Sequence, residues 1–169
     1  MMKKICGILS MLIFLGLLGI AGLLFVPKIL GYSQYAVLSG SMEPGIPVGA
    51  IVYDKAFSGK TLEEGAVVTY ELSPETLVTH RVISVDQEDQ TVITQGDANN
   101  VEDASPVAWR QIVGVYAFHV PYLGYISIYA KTPVGIAVVC GVLIVLILLT
   151  FLPDIFEEEK TISKTNEHA

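Results

Sequence analysis

Charge is scarce in this chain. Asp, Glu, Lys and Arg make up 16% of its 169 residues against 52% hydrophobic, where a soluble domain carries about 25% charged residues, so the composition points to lipid. Basic clusters are also lacking: the net charge is −7, and residues 27–132 hold twelve acidic against six basic side chains, which makes nucleic acid an unsuitable partner. Cysteine is limited to Cys6 and Cys140, both inside apolar runs. The region between them therefore has neither a disulfide framework nor a thiol metal site, and its stability must come from packing. With only three histidines besides, the ligand set for a structural or catalytic metal is missing, and no cofactor is expected. Internal repeats and low-complexity tracts are absent too, which excludes solenoids and linker-rich adaptors.

What the chain does contain is two long uncharged runs, residues 5–26 and 133–152, each with the roughly 20 residues needed to span a bilayer. The first follows Lys3 and Lys4 and at first sight resembles a secretory signal peptide. Its 22 residues exceed the usual apolar stretch of such a peptide, of about 7–15, and no clear small-x-small cleavage site follows, so an uncleaved signal anchor is expected. The positive-inside rule then leaves residues 1–4 in the cytoplasm, puts 27–132 outside, and returns the chain through the second span. Residues 153–169, with Glu157, Glu158 and Glu159 beside Lys160 and Lys164, read as a disordered cytoplasmic tail, and His168 as part of it. Tyr122, Tyr125 and Tyr129, just before the second span, fit an interfacial aromatic belt.

The middle region, about the size of one domain, reads as all-β. Residues 35–38, 51–53, 66–70, 77–85, 90–95 and 112–118 are rich in β-branched and aromatic side chains. Gly, Pro, Asn and Asp punctuate the connections at 39–49, 73–74, 86–89 and 97–106. No stretch between the spans carries a helical period. The expected architecture is thus a mainly β extracytoplasmic domain flanked by two transmembrane helices.

Three places in this domain carry side chains suited to acyl transfer: Ser41 in Leu38-Ser39-Gly40-Ser41-Met42-Glu43-Pro44, His80 in Val78-Thr79-His80-Arg81-Val82-Ile83, and Asp97 and Asp103 in the segment 95–103. A serine hydroxyl is a poor nucleophile until a neutral imidazole takes its proton, and a carboxylate orients that imidazole and stabilises its charged form. Taken singly, each has a bland reading: a turn serine, a strand histidine, and Asx-turn aspartates. Lys55 and Lys60 lie in a strand-turn region before His80. His119, in Tyr116-Ala117-Phe118-His119-Val120-Pro121, is read as structural.

The surroundings of all three resemble the type I signal peptidases, in the same order. Ser39-Gly40-Ser41-Met42-Glu43-Pro44 resembles the family's serine box, His80-Arg81-Val82 its second box, and Gly96-Asp97-Ala98-Asn99 to Asp103 its third. Val113-Gly114 and Val120-Pro121-Tyr122-Leu123-Gly124 resemble the segment that follows. Histidine at position 80, where most bacterial members have lysine, resembles the SipW-type and endoplasmic-reticulum subgroup of these S26 serine peptidases. The second span and the lack of long insertions look more like a bacterial SipW-type protein.

The resemblance implies a membrane-bound serine endopeptidase that removes signal peptides from secretory preproteins at the outer face of the cell membrane. Ser41 would be the nucleophile and His80 the general base. Asp103 is taken as the orienting carboxylate, with Asp97 as the alternative; the Ser41 backbone N–H and the Ser39 hydroxyl would serve the oxyanion. Only about 14 residues separate the first span from Ser41, and at roughly 3.3 Å per extended residue the nucleophile can lie near the membrane surface. A substrate strand could add beside the segments around Val37 and Val78. Met42 could face either the bilayer surface or the core. A non-catalytic two-span scaffold or pseudoenzyme, and a membrane protease acting on regulatory substrates, are the competing readings.

Overall fold

The computed structural model describes residues 2–59 and 61–167, with the side chains of residues 3–59 and 61–151. Lys60 and His168 therefore lie outside the described residues. Two units result, one comprising Pro27–Ile128, the other the chain up to Val26 together with the chain from Tyr129 onward.

In the second of these, the apolar runs form α1 (Met2–Ile29) and α3 (Pro133–Glu167). The stretches Lys3–Ile29 and Pro133–Phe151 are long and apolar enough to cross a membrane. Helix α1 ends where Gly31, at φ +87°, takes up the left-handed conformation that glycine adopts without strain; its N–H bonds back to the Lys28 carbonyl at 3.1 Å. Helix α3 continues past residue 152 to Glu167, through the segment expected to be a disordered tail. Residues 154–167 contain no glycine or proline and six strong helix formers among Glu and Lys, so the helical backbone continues.

Pro27–Ile128 is built on one seven-stranded sheet: β1 (Tyr32–Ala36), β2 (Ile51–Ala56), β3 (Val67–Ser73), β4 (Thr76–Asp86), β5 (Thr91–Gln95), β6 (Val107–Ala108) and β7 (Ile112–Val120). Their spatial order is β1-β2-β7-β3-β4-β5-β6, with every pairing antiparallel. The expected all-β class is thus the observed one, a mostly antiparallel domain accompanied by two apolar helices. Details differ from the sequence reading. Strand β1 starts three residues earlier than expected, directly after Gly31, and Val37 follows it, still bonded to Ala50 and Gly49 at 2.9 Å. The two-residue β6, a 3-10 turn at Trp109–Gln111 and the seven-residue helix α2 (Leu123–Tyr129) are too short to leave a periodic signature.

Two cores hold the sheet. Leu62, Val68, Tyr70, Val82, Val92, Val107, Trp109 and Ile112 form one; Met42, Ile46, Ala50, Val52 and Val67 form the other. Strand β3 supplies both, Val67 to one and Val68 to the other, and is buried at four successive positions. That explains why Ala66-Val67-Val68-Thr69-Tyr70 shows no polar alternation: neither face of the strand meets water. Met42, 2% exposed, therefore lies in the core. Tyr125, expected in an aromatic belt, has its ring against Gly49, where φ is +80° and a β-carbon would overlap the ring.

Candidate active site

Strand β4 presents successive residues to opposite faces of the sheet, so His80 and Arg81 point apart, and each meets a different aspartate. His80, 7% exposed, has its Nδ1 2.7 Å from Asp103 Oδ2. Arg81 donates from Nε to Asp97 Oδ1 at 2.8 Å and from Nη2 to Asp97 Oδ2 at 2.7 Å, a two-pronged pairing, while its Nη1 donates to the Gly65 carbonyl at 2.9 Å. Asp97, the alternative orienting carboxylate, is thus taken by the guanidinium, and Asp103 is the one facing the imidazole.

Three donors converge on Asp103 Oδ2: His80 Nδ1, the Tyr70 hydroxyl at 3.0 Å and the Thr94 hydroxyl at 2.6 Å. The Asp103 backbone N–H also donates to the Thr94 carbonyl at 2.8 Å, fixing the residue against β5. Burial acts to raise the Asp103 carboxyl. The hydrogen bonds from His80 and Thr94, the charge interaction with His80 and the Tyr70 hydrogen bond outweigh it, leaving the group below its ordinary value. Sequence reading did not find Tyr70 or Thr94. A signal was present at Thr94: β5 alternates buried and half-buried positions, and a threonine stands where the pattern calls for a second valine after Val92.

The serine segment leads out of β1 into a turn, with the Glu43 N–H donating to the Gly40 carbonyl at 3.1 Å and that of Ile46 to the Met42 carbonyl at 2.8 Å. Buried Met42 and Ile46 anchor this turn from below, and the Ala98 N–H donates to the Ser41 carbonyl at 2.9 Å. Ser39 Oγ lies 3.5 Å from Ser41 Oγ. Gly96 passes between the serine turn and the histidine: a β-carbon there would lie 2.6 Å from the Ser41 carbonyl oxygen, 2.8 Å from Asn99 Nδ2 and 3.0 Å from His80 Nε2. Only glycine fits so close an approach. His80 therefore turns Nδ1 to the carboxylate and Nε2 toward the Ser41 turn, without a hydrogen bond to the Ser41 hydroxyl.

A cleft of about 320 Å³ opens over this arrangement, lined by Ser39, Ser41, His80 and Asn99 and walled by residues 35–38 and 77–79. Strand β1 is at the edge of the sheet, and residues 76–80 of β4 extend beyond its pairing with β5, which begins at Arg81. The cleft thus has a strand margin on each side, and its apolar floor includes Met42, Ile46 and Val52. The other candidates lie elsewhere. Lys55 is exposed on β2, its Nζ 5.8 Å from the Tyr32 ring centre, and His119 Nδ1 is 2.8 Å from the Tyr116 hydroxyl.

No family model matches the chain. It is 33% identical over 99 residues to signal peptidase I W of Bacillus subtilis, covering 56% of this chain and 52% of that protein. Against the signal peptidase complex catalytic subunit SEC11 of Candida dubliniensis it is 34% identical over 103 residues, 54% of this chain and 61% of the relative. Against SEC11C of Rattus norvegicus it is 29% identical over 125 residues, 65% of each. The chain spans between about half and two thirds of the length of these relatives. Over rather more than half of its own length, then, this chain is a homologue of proteins named as signal peptidases, bacterial and eukaryotic alike.

Proposed function

We propose that the protein is a membrane-bound serine endopeptidase that cleaves signal peptides from secretory preproteins at the outer membrane surface. The observation that carries this reading is His80 held by Asp103 at 2.7 Å with its other nitrogen directed toward the Ser41 turn, in a cleft between two strand margins. With the proton on Nδ1, where the carboxylate favours it, Nε2 has a free lone pair. A preprotein backbone lying between residues 35–38 and 77–79 would add as a strand, bringing its scissile carbonyl to Ser41.

Ser41 Oγ then attacks that carbon as its proton passes to His80 Nε2, and the carbonyl electrons move onto oxygen. The Ser41 backbone N–H and the Ser39 hydroxyl serve the oxyanion. Collapse of the tetrahedral intermediate expels the amine of the mature protein, which takes the proton from His80, and leaves the signal peptide esterified to Ser41. Water, activated by the same imidazole, releases it. Lys3 and Lys4 before the first span support an outward-facing domain under the positive-inside rule, with α1 and α3 as its two membrane anchors.

The test is cleavage of a purified preprotein, with small residues before its processing site, by detergent-solubilised wild type, Ser41→Ala and His80→Ala, the cut being located by amino-terminal sequencing. Cleavage at the signal-peptide junction that vanishes in both variants is expected. Unchanged cleavage by Ser41→Ala sinks the serine mechanism, and a folded but inactive wild type favours the non-catalytic scaffold.

A further inference from the structure

We propose that Tyr70 is a positioning residue for hydrolysis, its phenol acting through Asp103 to set the orientation and charge of the carboxylate that holds His80. The inference rests on the signal peptidase reading above.

Tyr70 lies on β3 and Thr94 on β5, the two strands that flank β4, which carries His80. From opposite sides they bring their hydroxyls to the single oxygen that also meets His80 Nδ1. The Tyr70 ring is 3% exposed and edge-on to the imidazole, with centroids 6.4 Å apart and planes at 69°. A phenylalanine would occupy the same core volume without a hydroxyl to desolvate. A buried phenol is costly unless its O–H is bonded, and here that bond goes to Asp103. Burial pushes the Tyr70 hydroxyl up to about 12; Thr94 acts against this, and the neighbouring Asp103 adds to the rise. The phenol therefore keeps its proton throughout the neutral range and stays a donor.

The chemical consequence follows from sharing. An oxygen that accepts three hydrogen bonds has its charge distributed over three donors, so it stabilises an imidazolium less strongly than it would with two. Both donors also stop the carboxylate from rotating away from Nδ1. Tyr70 and Thr94 thus keep His80 in the correct tautomer without trapping it in its protonated form.

The experiment uses full-length Tyr70→Phe, Thr94→Val and wild type in detergent, with preprotein cleavage followed across pH. Expected for Tyr70→Phe is a kcat about three- to tenfold lower with KM unchanged. The acidic limb of kcat/KM should move to higher pH by about half a unit, and Thr94→Val should move it the same way. NMR titration of the histidine signals in a Ser41→Ala background reads the same displacement without needing activity. An unmoved imidazole titration in both hydroxyl variants, with only thermal stability reduced, overturns the proposal and leaves Tyr70 a packing residue. Should the wild type cleave nothing, the peptidase reading falls, while the titration still decides whether Tyr70 acts on the His80–Asp103 pair.

Discussion

Replacing each aspartate of the third box by asparagine separates the two roles the fold gives them. In Asp103→Asn the three donors around Oδ2 can bond the amide oxygen of an asparagine of nearly the same shape, so the segment stays folded. What is lost is the negative charge facing the imidazole. In serine triads the equivalent change lowers turnover by about 10⁴, or about 5 kcal/mol of barrier at 1.36 kcal/mol per decade. Asp97→Asn instead breaks one prong of the Arg81 pairing. Arg81 is 40% exposed along its side chain, so screening limits the stability loss to about 1 kcal/mol or less. Activity falls only as far as the segment carrying Gly96 and Ala98 shifts against Ser41, about tenfold if the shift stays small. The assay is initial rate at saturating concentrations of a purified preprotein, with circular dichroism confirming that each variant is folded. Asp97→Asn losing as much turnover as Asp103→Asn, or Asp103→Asn remaining within tenfold of wild type, would refute the assignment.

Other consequences are open to test. Gly96→Ala places a methyl 2.6 Å from the Ser41 carbonyl and 3.0 Å from His80 Nε2; either the serine turn or the imidazole must yield, and kcat/KM should fall by about 10² or more, with a smaller loss in melting temperature. Asp54 on β2 is fully buried and, among the described residues, neither carboxyl oxygen has a hydrogen-bond partner. Burial raises it, and the neighbouring Thr69 hydroxyl, engaged with Thr79 at 2.8 Å, only eases that penalty. An acid raised in the folded state contributes stability below its unfolded value and loses it as pH climbs through the folded one. Relative to Asp54→Asn, the wild type should therefore lose about 1–3 kcal/mol between acid and neutral pH, measured by urea unfolding. The lowered Asp103 carboxyl has the opposite sign: its contribution disappears as pH falls from the ordinary carboxylate range through the folded value, and Asp103→Asn should be flatter there.

Much of the fold was legible because its signals are local. The uncharged runs at 5–26 and 133–152, and the β-branched stretches between Gly, Pro and Asp punctuation, depend only on near neighbours in sequence. Short elements escaped: β6 and α2 are below the length at which a period is visible, and α3 runs on to Glu167 through a polar segment without an apolar period. At the site, Ser41, His80 and the acidic pair were singled out by residue type and by the resemblance of the segments around them. Tyr70 was hidden because in β3 it reads as one more core aromatic.

The sequence by itself determined that the chain has two bilayer-length apolar segments, a β domain without disulfides, and a serine, a histidine and a carboxylate in the order of a family of peptidases. Only the tertiary structure decided which carboxylate meets the histidine. Asp97 and Asp103 are six residues apart in one turn-rich segment, and nothing local distinguishes them. The distinction comes from β4, whose pleat sends His80 and Arg81 to opposite faces, and from β5, whose Thr94 carbonyl takes the Asp103 N–H and holds that residue on the histidine's side. Tyr70 reaches the same oxygen because antiparallel pairing sets β3 beside β4. Such a contact depends on the register between strands, a long-range property that no window of sequence contains.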